Sequence, residues 1–272
     1  RASIVAAVTP SSFGTLAASL VTWLLTGGTL ALHHPFAPDG LLRQLAEVPC
    51  DTLIAPAPLA LDLATQAPTL RHVIGLWRAP EQIAASPAWT GSAAFTDVAL
   101  FGEIGLVAMR RGADGLPTAI PAATSPETSD DVRLTAHGTL ALGGPMVPVV
   151  AYHGTPTPDD SPPAEVDTGY AARRAAGGLT VTAPPAGLIG VGGYRFRSTE
   201  LQTWSRMLPP DTTLTAVPDR FTGHRLAGHA GDRLRTRQAL IDLGLNPLVA
   251  EAFRTSGDAD KQPADVDVVL TP

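Results

Sequence analysis

Apolar positions along the first hundred residues recur in two alternating periods. Residues 1–8 are a short β-branched and apolar run that reads as a buried strand. Phe13, Leu16, Leu20, Trp23 and Leu24 then follow at steps of three and four, which predicts a helix with that apolar face, capped by Ser11 or Ser12 and ended at Gly27-Gly28. A strand is expected at 29–33. Pro38-Asp39-Gly40 opens a second helix with Leu41, Leu42 and Leu45 on one face, and 52–54 returns as a strand. The alternation continues through a helix at 56–66, a strand at 72–77, a short helix at 80–85 and a strand at 96–101 that runs into Gly102-Glu103-Ile104-Gly105. Strands alternating with helices in this way predict a parallel sheet with right-handed crossovers, whose ligands sit at the carboxyl ends of the strands.

From residue 106 the texture changes. Short strand-like runs at 106–110, 132–135, 139–142 and 146–152 are separated by Pro, Gly, Asp and Ser, which predicts an antiparallel β subdomain closed into a distorted barrel, with an exposed loop at 155–164. Residues 179–196 read as a hairpin, 198–207 as a helix capped by Ser198 and carrying Leu201, Trp204 and Met207, and 212–217 as a strand. A helix at 232–243 presents Leu234, Ala239, Leu240 and Leu243 and closes at Gly244; beyond Phe253 a frayed tail with a strand at 266–270 is expected. The fold class is therefore α/β: a parallel-sheet subdomain (1–117), a small antiparallel β subdomain (118–178), a small hinged α+β domain (179–258) and a tail (259–272).

Composition narrows the function classes. The 272 residues are 44% hydrophobic and 16% charged, enough for a sizeable core, and the formal charge of −6 with a pI near 5.6 gives no basic footprint for nucleic acid. Cys50 is the single cysteine, so neither an internal disulfide nor a cysteine metal cage is expected, and no export signal is visible. A cytoplasmic protein is the expectation. The apolar run 16–32 is split by Gly27-Gly28 and interrupted by Thr22, Thr26 and Thr29, so no membrane span is expected. Lys261 is the only lysine among 19 basic residues, which limits which lysine a reaction could use.

Residues 191–202, V-G-G-Y-R-F-R-S-T-E-L-Q, with the preceding L-T-V-T-A-P-P-A-G-L-I-G from 179, resemble the hinge and first hairpin of the mobile C-terminal domain in the adenylate-forming superfamily, the acyl- and aryl-CoA ligases and their relatives. Four further segments in the family's order share the resemblance: L-x-x-G-G-T-L-A-L-H-H-P-F-x-P-D at 24–39, F-G-E-I-G at 101–105 where the family writes Y-G-x-T-E, G-T-L-A-L-G-G-P-M-V at 138–147, and D-T-G-Y at 167–170 where it writes [RK]-T-G-D. Val217-Pro218-Asp219 with Gly223 is similar to a V-P-D-x-x-x-G segment of the small domain. The resemblance implies an enzyme that activates a small carboxylic acid with ATP and Mg to an acyl-adenylate and passes the acyl group to a thiol, usually of coenzyme A, while the small domain rotates between the half-reactions. Such a scheme needs backbone amides and a lysine for the phosphates, a carboxylate for magnesium, an acidic group for the ribose hydroxyls and a lysine for the charge that develops during adenylation.

On this chain the resemblance points to Phe101, Gly102, Glu103, Asp167, Thr168 and Tyr170 for the nucleotide, Glu103 for the metal, Arg195 and Lys261 for catalysis, and Ala186, Gly192 and Gly193 for the hinge. Several positions depart from the pattern. Gly105 stands where the magnesium carboxylate is expected, and Glu103 substitutes for it only if the backbone stays extended. Tyr170 replaces the ribose carboxylate, Pro184 and Ala186 replace the hinge arginine and pivot acid, and Thr255-Ser256-Gly257 is followed by Asp258 with Lys261 three residues later. The alternative register, Thr222-Gly223-His224, puts His224 in the lysine's place. The phosphate loop is not in the sequence and is expected upstream of Arg1 or on a separate N-terminal half. Two readings remain open: a divergent ligase that needs that half or a carrier protein, and a catalytically inactive pseudo-ligase that binds an acyl group, a nucleotide or a protein.

Other constellations read as structural. His33-His34 point to opposite faces of a strand, His224 and His229 lack helical zinc spacing, and Gly190-x-Gly192-Gly193 is no dinucleotide fingerprint. Trp77 and Trp89 line either an acyl pocket or the core, and Arg233, Arg235 and Arg237 form either a solvated helix face or a phosphate-attracting one.

Overall fold

A computed structural model of the chain describes residues 4–8, 14–34, 36–63, 69–122, 132–144 and 165–253. The chain divides into two compact units, residues 1–186 and 187–272. The expected strands at 146–152 and 266–270, the loop at 155–164, Ser11, Ser12, Phe13 and Lys261 lie outside the described residues.

The first unit opens with β1 (Ile4–Val8), α1 (Thr15–Thr26), β2 (Thr29–His33), α2 (Pro38–Glu47), β3 (Thr52–Pro56), α3 (Ala57–Leu63), β4 (His72–Trp77), a 3-10 turn (Pro80–Ala85), β5 (Ala94–Leu100) and β6 (Leu106–Arg110). They build a six-stranded sheet in the order β2-β1-β3-β4-β5-β6, parallel from β2 to β5. β3 is central and buried along its whole length, which explains its unbroken apolar run T-L-I-A-P. β6 departs from expectation: it returns antiparallel along β5 as the edge of this sheet and does not join the β subdomain, because residues 101–105 reverse the chain too tightly for it to travel further.

α1 also differs from the pattern that predicted it. Thr15 and Ser19 are the fully buried residues of α1, while Leu16, Leu20 and Leu24 face outward. Small side chains let the helix approach the sheet closely, and their hydroxyls are satisfied: Ser19 donates to the Thr15 carbonyl at 2.7 Å, and Thr15 accepts from Arg78 Nη2 at 2.6 Å. Handedness places α1 on one face of the sheet and α2 and α3 on the other, since β1 to β2 moves one way along the sheet and the later crossovers move the opposite way.

A second sheet, β10-β9-β8-β7, is antiparallel and made of β7 (Val132–Leu134), β8 (Thr139–Gly143), β9 (Glu165–Ala175) and β10 (Gly178–Ala183). Among the described residues it has two edges and is not a closed barrel. The hairpin expected at 179–196 resolves into two pieces, because β10 pairs with β9 through a turn at Gly177, and the chain then leaves for the second unit. Trp77, Ala99, Phe101 and Met109 of the first sheet pack against Leu140, Tyr170, Leu179 and Val181 of the second in one core.

The second unit contains β11 (Leu188–Val191), β12 (Tyr194–Arg197), α4 (Ser198–Met207), β13 (Thr213–Asp219), β14 (Gly223–His229), α5 (Arg233–Asp242) and α6 (Pro247–Glu251), with sheet order β12-β11-β14-β13. Gly192 and Gly193, at φ 58° and 93°, form the two-residue turn between β11 and β12, a connection whose positive φ values glycine meets without strain. Ser198 is the first helical residue of α4 rather than its cap; the preceding Arg197 N–H is held by Glu200 Oε2 at 2.7 Å. In α5, Asp232 caps the helix by accepting from the Arg235 N–H at 3.0 Å. Leu240 is buried, whereas Leu234 and Leu243, expected on the same face, are exposed.

Candidate functional site

The carboxyl end of β5 is where the parallel sheet would meet a ligand. Its last buried residue runs into Phe101, whose N–H donates to the Gly105 carbonyl at 2.9 Å, and Gly102 adopts φ 61°. The segment is a tight reversal. The extended backbone that would let Glu103 stand in for position 105 is therefore not present, and Glu103 sits half-exposed at the tip of the turn.

Asp167, Thr168 and Tyr170 approach the same place from the second sheet. The register of β8 against β9 slips between Thr139 and Ala141, so that residues 168–170 bulge, with Gly169 at φ 75°. Asp167 is held on the outer side: its Oδ2 accepts from Thr139 Oγ1 at 2.7 Å and its Oδ1 from the Gly169 N–H at 2.8 Å. The Thr168 hydroxyl points inward and donates to the Leu140 carbonyl at 2.6 Å. Tyr170 lays its ring edge-on to Phe101, with centroids 5.3 Å apart and planes at 83°. Phe101, Thr168 and Tyr170 are 0%, 1% and 4% exposed. The two motifs converge in space through packed rings and internally bonded groups.

The remaining candidates are placed by other elements. Ala186 is the last residue of the first unit. Arg195 is half-buried on β12, in register with Gly190, and shares its sheet face with Arg225 of β14 by the pairing pattern. His224 and His229 alternate to opposite faces of β14 and cannot share a metal. His33 is engaged through Nδ1 with Gln44 Oε1 at 2.9 Å, and among the described residues no group of three metal-ligating side chains occurs.

Sequence patterns did not indicate one polar network. Asp97, fully buried in β5, accepts from Arg111 Nε and Nη2 at 2.9 Å each and from Trp77 Nε1 at 2.7 Å. Arg111 places its other donors on the Pro87 and Gly115 carbonyls and Ser86 Oγ and stacks over Phe95 at 4.4 Å, so all five guanidinium N–H groups are used. The signal available was a lone aspartate inside an apolar strand, A-F-T-D-V-A-L. Trp77 is thereby a core residue and Trp89, bonded to the Ala93 carbonyl at 2.7 Å, packs on Phe95.

No protein-family model matches the chain, and no curated protein does. Solved structures do. The amide bond synthetase McbA from Marinactinospora thermotolerans aligns at a TM-score of 0.57 and 20% identity over 92% of this chain and 56% of that one. A malonyl-CoA ligase, described in complex with methylmalonyl-CoA and AMP, aligns at 0.57 and 18% over 93% and 60%. An artificially fused adenylation–PCP di-domain from Klebsiella oxytoca aligns at 0.56 and 14% over 93% and 53%. The chain shares its fold with these structures. This chain spans just over half the length of those structures, and identities this low establish architecture alone. No helix among the described residues is long and apolar enough to cross a membrane.

Proposed function

We propose that this chain belongs to a protein of adenylate-forming architecture in which acid activation has been given up: a pseudo-ligase that keeps the fold as a binding module for a protein or an acyl group. The observation that carries the reading is the contact of Tyr170 with Phe101. The family scheme calls for an open carboxylate at position 170 to accept both ribose hydroxyls, and here a buried ring occupies it. Seating a nucleotide sugar there requires expelling that ring, at a cost on the order of the 3–5 kcal/mol of a large core truncation. Gly105 supplies no magnesium ligand, and each missing charge-stabilising group raises an adenylation barrier by about 3–4 kcal/mol.

The second reading, a divergent ligase, is favoured by the architecture itself, since the aligned structures include a CoA ligase and an adenylation domain. In it a small carboxylic acid attacks the α-phosphate of Mg-ATP, Glu103 lies near the metal, Arg195 and Lys261 close over the site, coenzyme A or a carrier protein takes the acyl group, and further polypeptide supplies the phosphate loop. Calorimetric titration of the natural full-length protein with Mg-ATP, paired with pyrophosphate exchange over a panel of acids, separates the two. The pseudo-ligase reading expects neither heat nor exchange. Acid-dependent exchange that Lys261→Ala abolishes would overturn it.

A further inference from the structure

The segment P-E-Q-I-A-A after β4 winds as the 3-10 turn Pro80–Ala85, in which Pro80 and Ile83 are buried and Ala84 is exposed and ends at its methyl group. The core beside that turn is incomplete. Ile83, Met109, Ile120, Leu179 and Val181 are 0–6% exposed, yet with Ala84 they line a cavity of about 140 Å³. Native interiors hold few voids larger than a water molecule, because each missing neighbour forfeits dispersion contacts. The walls here are tied in place. Ile120 and Leu179 exchange both backbone hydrogen bonds, each at 2.8 Å, and the Thr118 hydroxyl donates to the Arg110 carbonyl at 2.8 Å. A Cβ at Gly178 would collide with the Ile120 carbonyl, so residues 117–120 ride directly on β10. At the end of the turn the Ser86 N–H donates to the Ile83 carbonyl at 3.0 Å, and Ser86 Oγ accepts from Arg111 Nη2 at 2.8 Å. Walls held by these bonds close on the space only by breaking them, which keeps a pocket pre-formed.

We propose that this cavity is a binding site for a small uncharged molecule, the size of one aromatic ring, that carries a single polar end. The size follows from the volume, since apolar cavities of about 150 Å³ take up benzene. The chemistry follows from the lining, which is aliphatic inside and has its exposed members, Ala84 and Thr118, at the mouth. The Thr118 hydroxyl spends its proton on the Arg110 carbonyl and keeps a lone pair, so it accepts from a donor on the ligand. The apolar part of the ligand lies against Val181 and the Met109 thioether, a favourable partner for an aromatic ring. Positions 101–105 and 167–170 are not among the lining residues. The proposal therefore goes beyond the pseudo-ligase reading and holds whether or not nucleotide binds.

The experiment titrates the natural full-length protein, isotopically labelled in its methionine methyl groups, with benzyl alcohol and in parallel with benzoate. Benzyl alcohol is expected to shift the Met109 methyl resonance saturably, and benzoate to bind at least about tenfold more weakly, because its charge is desolvated against an aliphatic lining. Ala84→Leu and Ala119→Leu, which fill the cavity from two sides, should each weaken benzyl alcohol by about tenfold or more. Ala85→Leu, at an exposed position of the same turn that does not line the cavity, should leave it unchanged. The Met109 resonance without probe shows that each variant is folded. No saturable Met109 shift up to the solubility limit of benzyl alcohol would overturn the proposal, and so would a shift that both filling substitutions leave undiminished. Benzoate binding as tightly as benzyl alcohol would overturn the uncharged class. Nucleotide plays no part in these readouts, so their failure is distinct from failure of the pseudo-ligase reading.

Discussion

Tyr170 stands edge-on to Phe101 across the junction of the two sheets of the first unit, 5.3 Å between ring centroids. One ring closes the end of β5 and the other rides on the bulge of β9, so this pair joins the two places where a nucleotide was expected. An edge-to-face pair contributes about 0.5–1.5 kcal/mol beyond the area it buries. Restoring the carboxylate of the family pattern, Tyr170→Asp, should therefore destabilise the chain by about 3–5 kcal/mol, through lost ring packing and a buried acid, and create no ATP binding. Tyr170→Phe should retain most of the stability. Urea unfolding with a calorimetric ATP titration checks both; an Asp variant that folds as well as the parent and binds ATP refutes the packing account.

The Asp97–Arg111 pair, with both side chains nearly inaccessible, tests whether the network beneath β5 is structural. Removing one partner, as in Asp97→Ala, leaves a desolvated charge and should cost about 3–5 kcal/mol. The double change Asp97→Leu/Arg111→Met should recover a good part of that loss, because no orphaned charge remains. A double-mutant cycle on denaturation midpoints reads the coupling. Additive losses would mean that the two side chains act separately.

Periodicity alone located the βα alternation, since strands such as β3 are buried on both faces and their apolar runs are unambiguous. It misassigned the face of α1 because the helix is apolar almost all round, so step counting finds a stripe wherever it looks; burial of Thr15 and Ser19 depends on the close approach of neighbouring strands, a tertiary fact. Similarly, the short run 106–110 shows equal propensity for either sheet, and only the reversal at 101–105 decides its partner. Within the candidate site, the family resemblance assigned positions 101 and 170 to the same nucleotide, and the structure brings the two side chains into contact. That the two side chains fill each other's space was not legible, because a motif register identifies positions and says nothing about what a tyrosine does when it replaces an aspartate.

Cys50 is buried beside Asp51, and burial first, then the adjacent carboxylate, pushes its thiol pKa up. The folded chain therefore holds the thiol proton at pH values where the unfolded chain has begun to release it. Stability is untouched at neutral pH and declines as pH rises above the ordinary thiol range, the interval in which the unfolded state binds fewer protons. Alkylation by iodoacetamide at pH 8 should be slow in the native protein and rapid in urea. Rapid native labelling would show that the thiol is accessible.

In the second unit, Asp219 closes the connection between β13 and β14. Its Oδ1 accepts from the Phe221 N–H at 2.9 Å and from both the backbone N–H and the hydroxyl of Thr222 at 2.8 Å. The Thr222 carbonyl in turn receives the Gly192 N–H at 3.1 Å, which ties the β11–β12 turn to the same loop. One carboxylate thus organises both turns at this end of the small sheet. Asp219→Ala strands the backbone donors it satisfies and should cost about 1–3 kcal/mol. Asp219→Asn, which keeps an acceptor oxygen, should cost less. Because the two units have separate cores, hydrogen exchange should rise across residues 187–253 while β3, β4 and β5 keep their protection. Uniform acceleration through both units would instead mean that they unfold as one cooperative body, and the loss at Asp219 would then have to be read against the stability of the whole chain.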